Sequence, residues 1–337
     1  MKKQVICVLG VLLLLLSLLP AGTVHATESP LTALSSQAVV VIDYETGEVL
    51  YDENMDIPLL AASLTKIMTA YILFEEIAAG NLTMDTLIPV SNHAVHISRA
   101  IDHRAPFSAG ASYTADTFLK LIFLPSSNAA TVAVAEYIAG TEETFIERMN
   151  ETAEHLGMNA QYESVHGLWG DNRKTAHCVA LLTRHFIRSH PDVLQYSSLE
   201  SVEFYDREYL NINRLIFDYA EIDGFKTGAT EAAGYCLATT AERNGQRIIV
   251  VTMNAPSRDA AFDDSLALLD YGFAVLDDRY MEADTDTPED VPQDVEPSAV
   301  KPSLHVGIVA GAIGVIVVVT GISFLAVIVS VFRKNET

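Results

Sequence analysis

The most restrictive feature of this 337-residue sequence is the position of its apolar residues, which are concentrated at the two ends of the chain. At the amino end, Lys2 and Lys3 precede a long apolar run, and residues 24–26 read Val-His-Ala, a small-residue cleavage site. This pattern predicts a secretory signal peptide over residues 1–26. At the other end, residues 306–332 carry no charged side chain and are long enough to cross the roughly 30 Å apolar core of a bilayer as a helix. The sequence therefore predicts an exported chain held by a transmembrane helix over residues 305–332.

The residues next to that apolar segment predict how the chain is oriented. Arg333 and Lys334 follow it directly, so the positive-inside rule places the short tail, residues 333–337, in the cytoplasm. Residues 282–304 are rich in Asp, Glu and Pro and have little to bury, which is typical of a flexible linker. We expect the remaining residues, 27–281, to form one domain outside the membrane.

Charge and cysteine usage exclude some functions. The chain has 44 acidic and 21 basic residues and a formal net charge of −23, which argues against a nucleic-acid partner because phosphates require a basic surface. Two cysteines, Cys178 and Cys236, remain after removal of the signal peptide, and we expect both to be buried and unpaired. His93, His96, Asp102 and His103 have the spacing of a solvated helix and loop, so we expect neither a metal nor an organic cofactor.

Hydrophobic periodicity predicts an α/β domain. The order of elements is a β-hairpin, a helical block over residues 87–194, a second hairpin with Asn244-Gly245 at its turn, and a last helix. This order implies an antiparallel sheet in which amino-terminal and carboxy-terminal strands pair, flanked by helices, with a helical subdomain. We predict strands over residues 37–43, 48–51, 234–241 and 247–253, and helices over residues 63–79, 115–123, 129–139, 142–156, 176–189 and 259–276.

Three short motifs bring together residues that could perform nucleophilic catalysis. Ser63 and Lys66 stand three positions apart at the start of an apolar helix, so a hydroxyl and an amine share one face there. The free N–H groups of a helix start stabilise developing negative charge. Residues 126–128 read Ser-Ser-Asn and residues 226–228 read Lys-Thr-Gly, the latter just before the second hairpin.

The order of these motifs resembles that of the D-alanyl-D-alanine carboxypeptidases, the low-molecular-mass penicillin-binding proteins, over most of residues 35–276. The resemblance implies a DD-peptidase or serine β-lactamase type of fold. It also implies a bacterial cell membrane location, with the peptidoglycan stem peptide ending in D-Ala-D-Ala as substrate and β-lactams as covalent inhibitors. The similar segments are residues 61–69, 124–130, 166–168, 211–213, 223–230 and 234–236.

The resemblance assigns the catalytic steps to four residues. Ser63 attacks the carbonyl between the two terminal D-alanines and forms an acyl-enzyme, with Lys66 as its base. We expect burial, the helix end and the cation of Lys226 to lower the pKa of Lys66, because the base must be neutral. Ser126 relays a proton to the leaving amine, and the Asn128 amide holds Lys66 or the substrate backbone.

The third motif supplies the substrate-binding residues that the resemblance implies. Lys226 and Thr227 face the terminal carboxylate of the substrate, and Gly228 lets the peptide lie close to the strand edge. The backbone N–H groups of Ser63 and Ala229 form the oxyanion hole.

The sequence departs from the family pattern at three positions near these motifs. Ala129 follows Asn128 where an acid is common, and Ser164 stands where the loop before His166 commonly has Asn. Ala261 occupies the position of an arginine in the last helix, and Arg258 is the nearest basic residue. We expect His166 to have a structural role in its loop and not to act as a base.

Three alternatives remain open at this point. A β-lactamase of one class needs a Glu-x-x-Leu-Asn segment, whereas Leu210-Asn211 here has Arg207 at the position of that Glu. A catalytically impaired penicillin-binding or wall-binding protein is suggested by Ala129 and Ser164. Endopeptidase action on cross-links uses the same motifs and is not distinguished from carboxypeptidase action.

Overall fold

The computed structural model of the chain describes residue 31 and residues 33–99 and 105–285. The predicted signal peptide, transmembrane helix and cytoplasmic tail, and most of the predicted linker, lie outside these residues. Among the helices of this part of the chain, none is both long and apolar enough to cross a membrane.

A five-stranded antiparallel sheet forms the centre of the fold, with the strand order β2-β1-β11-β10-β9. The first strand pairs with the last, from Ala38 opposite Met253 to Asp43 opposite Ile248, which confirms the predicted pairing of the two chain ends. The hairpin between β10 and β11 turns at Asn244 and Gly245, whose φ angles of 53° and 79° suit a two-residue hairpin turn. The sheet strands are β1 (Ala38–Asp43), β2 (Val49–Glu53), β9 (Ile222–Thr230), β10 (Gly234–Arg243) and β11 (Gln246–Ala255).

Three two-stranded pairs complete the β structure, and sequence periodicity predicted none of them because each strand has only two to four residues. These are β3 (Leu59–Leu60) with β6 (Arg173–Lys174), β4 (Leu87–Pro89) with β5 (Ser112–Thr114), and β7 (Ser201–Phe204) with β8 (Arg207–Leu210).

Several of the helices start where a hydroxyl side chain caps them. Thr114, Ser127, Thr141 and Thr175 each accept a hydrogen bond from the backbone N–H three residues later, which satisfies a donor that has no partner within the helix. The helices are α1 (Lys66–Ala78), α2 (Asn92–Ile97), α3 (Ala115–Phe123), α4 (Asn128–Ala139), α5 (Glu142–His155), α6 (Ala176–Ser189), α7 (Val193–Ser197), α8 (Leu215–Asp218) and α9 (Arg258–Thr285).

Both faces of the central sheet are buried, which explains its unbroken apolar strands. On one face, Val40 and Ile42 belong to a large core that includes residues of α1, α3, α4 and α6. On the other face, Val39 and Val41 pack with apolar residues of α9, among them Phe273. The alternation follows from the two-residue period of a strand.

The structure also differs from the sequence expectations at the start of α1, in strand β9 and at the end of α9. A 3₁₀ turn over Ala62–Thr65 precedes α1, so the α-helix begins at Lys66 and not at Ser63. Strand β9 was not predicted, because Gly224 and Gly228 interrupt its apolar pattern. Helix α9 continues to Thr285, into the predicted linker, since no Gly or Pro stands between Phe273 and Pro288 to end it earlier. As expected, Cys178 and Cys236 are buried and unpaired.

Candidate active site

The 3₁₀ turn brings Ser63 and Lys66 together. In a 3₁₀ turn, side chains three residues apart lie directly above one another. The Lys66 Nζ lies 2.7 Å from the Ser63 Oγ and donates a hydrogen bond to it, which confirms the predicted shared face. Ser63 is partly exposed, whereas Lys66 is fully buried at the start of α1.

Lys66 also has two acceptors from elsewhere in the chain. The Asn128 Oδ1, on the first residue of α4, accepts a hydrogen bond from the Lys66 Nζ at 2.6 Å. The backbone carbonyl of His166 accepts another at 3.0 Å. Three acceptors therefore fix the position of the Lys66 nitrogen beside the Ser63 hydroxyl.

The second lysine of the site, Lys226, forms a hydrogen bond with Ser126. Its Nζ donates to the Ser126 Oγ and to the Thr227 carbonyl, both at 2.9 Å, and its side chain is 1% exposed. Ser126 lies between α3 and α4 with a φ of 60°, a backbone conformation that costs energy for a residue other than glycine and is concentrated at functional sites.

Gly228 allows strand β9 to lie against the 3₁₀ turn that contains Ser63, which we call the nucleophile turn after the role predicted for Ser63. A Cβ at this position would be 2.9 Å from the Ala61 carbonyl oxygen and 3.1 Å from the Ser63 nitrogen, both of which are backbone atoms. Strand β9 is at the edge of the sheet, so its outer backbone groups face the cleft rather than another strand. The neighbouring Thr227 hydroxyl is buried and makes no hydrogen bond within the described residues.

These elements enclose a cleft that opens at Ser63. Two residues of α9, Arg258 and Ala261, line it one helical turn apart, and Arg258 is the one charged side chain among the described lining residues. The lining residues are Ser63, Ser126, Ile212, Thr227, Gly228, Ala229, Tyr235, Cys236, Leu237, Arg258, Ala261 and Phe262.

Comparison with known families explains this arrangement. Residues 23–257 match the family model described as D-alanyl-D-alanine carboxypeptidase, peptidase S11. The chain belongs to the D-alanyl-D-alanine carboxypeptidase family. The resemblance read from the sequence motifs is thereby confirmed, and the fold is the α/β fold of the penicillin-binding and DD-peptidase proteins.

Members of the carboxypeptidase family that resemble the chain come from several bacteria. D-alanyl-D-alanine carboxypeptidase DacF of Bacillus subtilis is 31% identical over 287 residues, covering 81% of this chain and 71% of DacF. A D-alanyl-D-alanine endopeptidase of Pseudomonas aeruginosa is 31% identical over 279 residues, covering 77% of this chain and 86% of the relative. Across the eight curated relatives compared, the alignments span 61–86% of the relative's own length.

A solved structure agrees with the carboxypeptidase family fold. Penicillin-binding protein D2 from Listeria monocytogenes, in its ampicillin-bound form, superposes with a TM-score of 0.65 at 30% identity. The match covers 72% of this chain and 100% of that protein.

His166 has a more direct contact with the site of this carboxypeptidase family member than the sequence indicated. The sequence analysis gave it a structural loop role, and its side chain fits that role: burial, with the nearby cation of Lys66, lowers its pKa to about 3, so the ring is neutral. Its Nδ1 accepts a hydrogen bond from the Leu168 N–H at 3.0 Å. Its carbonyl nevertheless holds Lys66, a contact that no sequence motif marks because every residue has a carbonyl.

Ser164 fits the loop that precedes His166. Its Oγ accepts hydrogen bonds from the Gly167 N–H at 2.9 Å and from the Asn172 Nδ2 at 3.0 Å. The Asn172 Oδ1 in turn accepts from the backbone N–H groups of Glu163 and Ser164. Asn172, which the sequence analysis did not single out, therefore holds the loop together.

Of the four residues considered for metal binding, the structure describes two, His93 and His96. Asp102 and His103 lie outside the described residues, and the His93 ring pairs with Glu142. Within residues 31, 33–99 and 105–285, no three His, Cys, Asp or Glu side chains are arranged to hold a metal ion.

Proposed function

We propose that this chain is a serine D-Ala-D-Ala carboxypeptidase that removes the terminal D-alanine from peptidoglycan stem peptides through an acyl-enzyme on Ser63. The observation that carries the proposal is the Lys66 Nζ, fully buried and 2.7 Å from the Ser63 Oγ. That distance is within reach of direct proton transfer. Family membership supplies the substrate class.

Acylation begins with a proton transfer. In its neutral form, the amine of Lys66 takes the Ser63 proton as the oxygen attacks the carbonyl of the penultimate D-alanine. The backbone N–H groups of Ser63 and Ala229 receive the negative charge that develops on the carbonyl oxygen. The close approach of β9 to the nucleophile turn at Gly228 supports this pairing.

The leaving D-alanine needs a proton on its nitrogen. Ser126 relays it in this proposal: its hydroxyl lines the cleft and accepts a hydrogen bond from Lys226, and it gives its proton to the nitrogen and takes in return the proton that Lys66 removed from Ser63. Asn128 keeps the Lys66 nitrogen in place throughout the cycle. Water then hydrolyses the acyl-enzyme and restores Ser63.

The terminal carboxylate of the substrate requires positive charge and hydrogen-bond donors. Thr227 supplies a hydroxyl without a partner among the described residues, and Lys226 supplies a cation next to it. Arg258 adds a guanidinium at the same cleft, one turn before Ala261.

β-Lactams acylate the same serine in this proposal because they imitate the D-Ala-D-Ala amide. The Listeria monocytogenes protein with ampicillin bound supports this part.

The domain organisation belongs to the same proposal. Residues 1–26 are a signal peptide, 27–281 the catalytic domain, 282–304 a linker, 305–332 a transmembrane helix and 333–337 a cytoplasmic tail, in a bacterial cell membrane. The apolar ends of the sequence and the basic residues after the second apolar segment support it. Membrane fractionation tests it: the full chain is expected in the membrane fraction, and a chain that ends at residue 304 in the soluble fraction.

The decisive experiment follows D-alanine release from diacetyl-Lys-D-Ala-D-Ala by the full chain and by Ser63→Ala, with fluorescent penicillin labelling alongside. Release and labelling by the wild type, both lost in Ser63→Ala, support the carboxypeptidase. Labelling without release would mean an active nucleophile with another substrate. No labelling of the wild type would refute the acyl-enzyme mechanism and leave the impaired wall-binding protein.

A second candidate is endopeptidase action on cross-links, which the similarity to the Pseudomonas aeruginosa endopeptidase favours. A cross-linked dimer of stem peptides distinguishes the two activities. An endopeptidase converts it to monomers, whereas a strict carboxypeptidase leaves the cross-link intact.

A further inference from the structure

Trp169 is the one tryptophan of the 337-residue sequence, and it belongs to the loop of residues 163–172 that also contains His166. The residue is 44% exposed, although tryptophan has the largest apolar side chain. Its indole packs edge-on against the buried ring of His166, with the ring centres 4.8 Å apart and the planes at 76°. Trp169 therefore contacts the residue whose carbonyl holds Lys66, and much of its surface remains open to solvent.

Hydrogen bonds fix the backbone of this loop on both sides of Trp169. Two residues before it, the Gly167 N–H donates to the Ser164 Oγ at 2.9 Å. Three residues after it, the Asn172 Nδ2 donates to the Trp169 carbonyl oxygen. An aromatic side chain on a fixed backbone loses little conformational freedom when a ligand binds. The exposed part of the indole is thus a prepared contact surface.

The loop lies directly against the nucleophile turn. A Cβ at Gly167 would be 1.8 Å from the Ala62 carbonyl oxygen, so the backbone of Gly167 touches the residue before Ser63. Two residues of backbone span at most about 7 Å, which places the Trp169 Cα within about 11 Å of that oxygen. The indole is therefore within reach of a peptide bound at Ser63.

The cleft beside strand β9 accounts for the other end of the substrate. Thr227 and Arg258 line that cleft, and the proposed function assigns them to the terminal carboxylate. No residue of the 163–172 loop is among the described residues that line it. Since the leaving D-alanine lies in the cleft, we expect Trp169 to meet the part of the substrate on the amino side of the scissile bond.

The length of the substrate fits this position. In a peptide X-D-Ala-D-Ala, the Cα of residue X is about 3.8 Å from the Cα of the D-alanine that acylates Ser63. A side chain of four methylene groups at X extends roughly 6 Å further. Such an alkyl chain buries apolar surface when it lies on an indole.

We propose that Trp169 is a substrate-binding residue that receives the alkyl side chain of residue X in peptides that end in X-D-Ala-D-Ala. This proposal rests on the proposed function and adds to it a preference on the acyl side. The contact selects peptides with a long, straight side chain at X over peptides that have none.

Two peptides that differ at X test the preference, namely diacetyl-Lys-D-Ala-D-Ala and acetyl-Gly-D-Ala-D-Ala. For the full-length wild type, we expect kcat/KM to be about tenfold higher for the lysine peptide, because its methylene groups are buried on the indole. In Trp169→Ala we expect the lysine-to-glycine ratio to fall towards one. Trp169→Phe keeps a smaller ring against His166, so its ratio is expected to lie between the two.

Tyr137→Ala is the matched control, because Tyr137 is a similarly exposed aromatic residue, at 40%, near the end of α4. It is expected to keep the wild-type ratio. Equal rates with both peptides in the wild type would overturn the proposal, as would a wild-type ratio in Trp169→Phe if Trp169→Ala does not fold. An equal fall in kcat/KM for both peptides in Trp169→Ala would also overturn it, since Trp169 would then act through His166 and Lys66.

The fluorescence of Trp169 gives a measurement that needs no turnover, because the chain has one tryptophan. We expect diacetyl-Lys-D-Ala-D-Ala to shift the emission of full-length Ser63→Ala to shorter wavelength, and calorimetry to show about tenfold tighter binding than for the glycine peptide. Binding without an emission change, or equal affinity for the two peptides, would overturn the proposal.

The binding preference also separates this proposal from the proposed function. A preference for the lysine peptide in Ser63→Ala, lost when Trp169→Ala is added, supports the contact even if the wild type releases no D-alanine. Release of D-alanine at equal rates from both peptides would leave the carboxypeptidase in place and remove the contact with Trp169.

Discussion

Lys66 is completely buried, and the Asn128 side chain accepts a hydrogen bond from its Nζ. We expect Asn128→Ala to slow acylation of Ser63 by fluorescent penicillin about 10- to 100-fold, because a hydrogen bond to a charged or strongly polar group is lost where water cannot replace it. Asn81→Ala is the control, since Asn81 is exposed and its side chain donates to Glu76, which does not line the cleft. Acylation rates that fall equally in both variants would contradict the positioning role of Asn128.

Lys174 is also a buried lysine, but it lies outside the catalytic cleft. Its Nζ lies 3.9 Å from the centre of the Tyr162 ring, and burial lowers its pKa from 10.5 to about 7. Between pH 7 and 10.5 the unfolded chain therefore binds a proton that the folded chain has lost, so folding stability due to this group rises with pH.

The Lys174→Met variant tests that pH dependence. Because the variant lacks the titrating group, its stability relative to the wild type should fall by about 2 kcal/mol between pH 7 and 9. Denaturant unfolding at each pH measures it, and Lys120→Met, which removes a half-buried lysine paired with Asp116, should show no such trend. A stability difference independent of pH would mean that Lys174 is charged in the folded protein.

At the scale of elements, the contact between strand β9 and the nucleophile turn determines whether the cleft is formed correctly. Gly228→Ala would place a methyl group against backbone atoms of Ala61 and Ser63, which cannot rotate away. We expect β9 to move outwards and the rate of acylation to fall at least about tenfold, because small displacements are costly for the reacting geometry.

Gly272→Ala provides the comparison for that variant. Its methyl group would meet side-chain methyl groups of Ile248 and Val41, and not backbone atoms, on the far side of the sheet. Both substitutions should lower the melting temperature, but only Gly228→Ala should slow penicillin acylation. Normal acylation by a folded Gly228→Ala protein would show that the close approach is dispensable.

The helices were the elements most accessible to sequence reasoning. The predicted bounds of α3 and α6 agree with the structure, because each has a threonine cap and a clear apolar face. Strand β9 escaped prediction because Gly224 and Gly228 interrupt its apolar pattern. The motif residues of the site were predicted because their side-chain types and spacing indicate nucleophilic catalysis.

Contacts made by the backbone or across long sequence distances could not be found in the same way. The His166 carbonyl holds Lys66 from 100 residues away, and Asn172 organises the loop that presents it. Neither the carbonyl nor the asparagine belongs to a spacing that indicates catalysis. Only the folded chain brings them to Lys66.

At the scale of the whole molecule, one carboxylate joins the start of the domain to its last helix. Asp264, which is 6% exposed on α9, accepts hydrogen bonds from the Ser36 N–H at 2.7 Å, the Ser36 hydroxyl at 2.6 Å and the Ser35 N–H at 3.1 Å. We expect Asp264→Asn to lower the free energy of unfolding by about 2 kcal/mol and the melting temperature by roughly 6 °C.

The neighbouring Asp263 is exposed and provides the control for that measurement. Asp263→Asn should have the same melting temperature as the wild type. Both variants, once folded, should be acylated by penicillin at the wild-type rate. If Asp264→Asn were as stable as the wild type, the junction between the first residues of the domain and α9 would contribute nothing to folding.

The pairing of β1 with β11 has a consequence for how the protein is made. The chain is synthesised from its amino end, so β1 is made early. Its partner strand β11 is complete only once Ala255 has been added. Until then the apolar strand is open on one side, and β9 and β10 have no sheet to join. A nascent or prematurely terminated chain thus contains Ser63 and Lys66 but lacks the wall of the cleft opposite them. We therefore expect penicillin to acylate folded chains that include β11 and not chains that end before it.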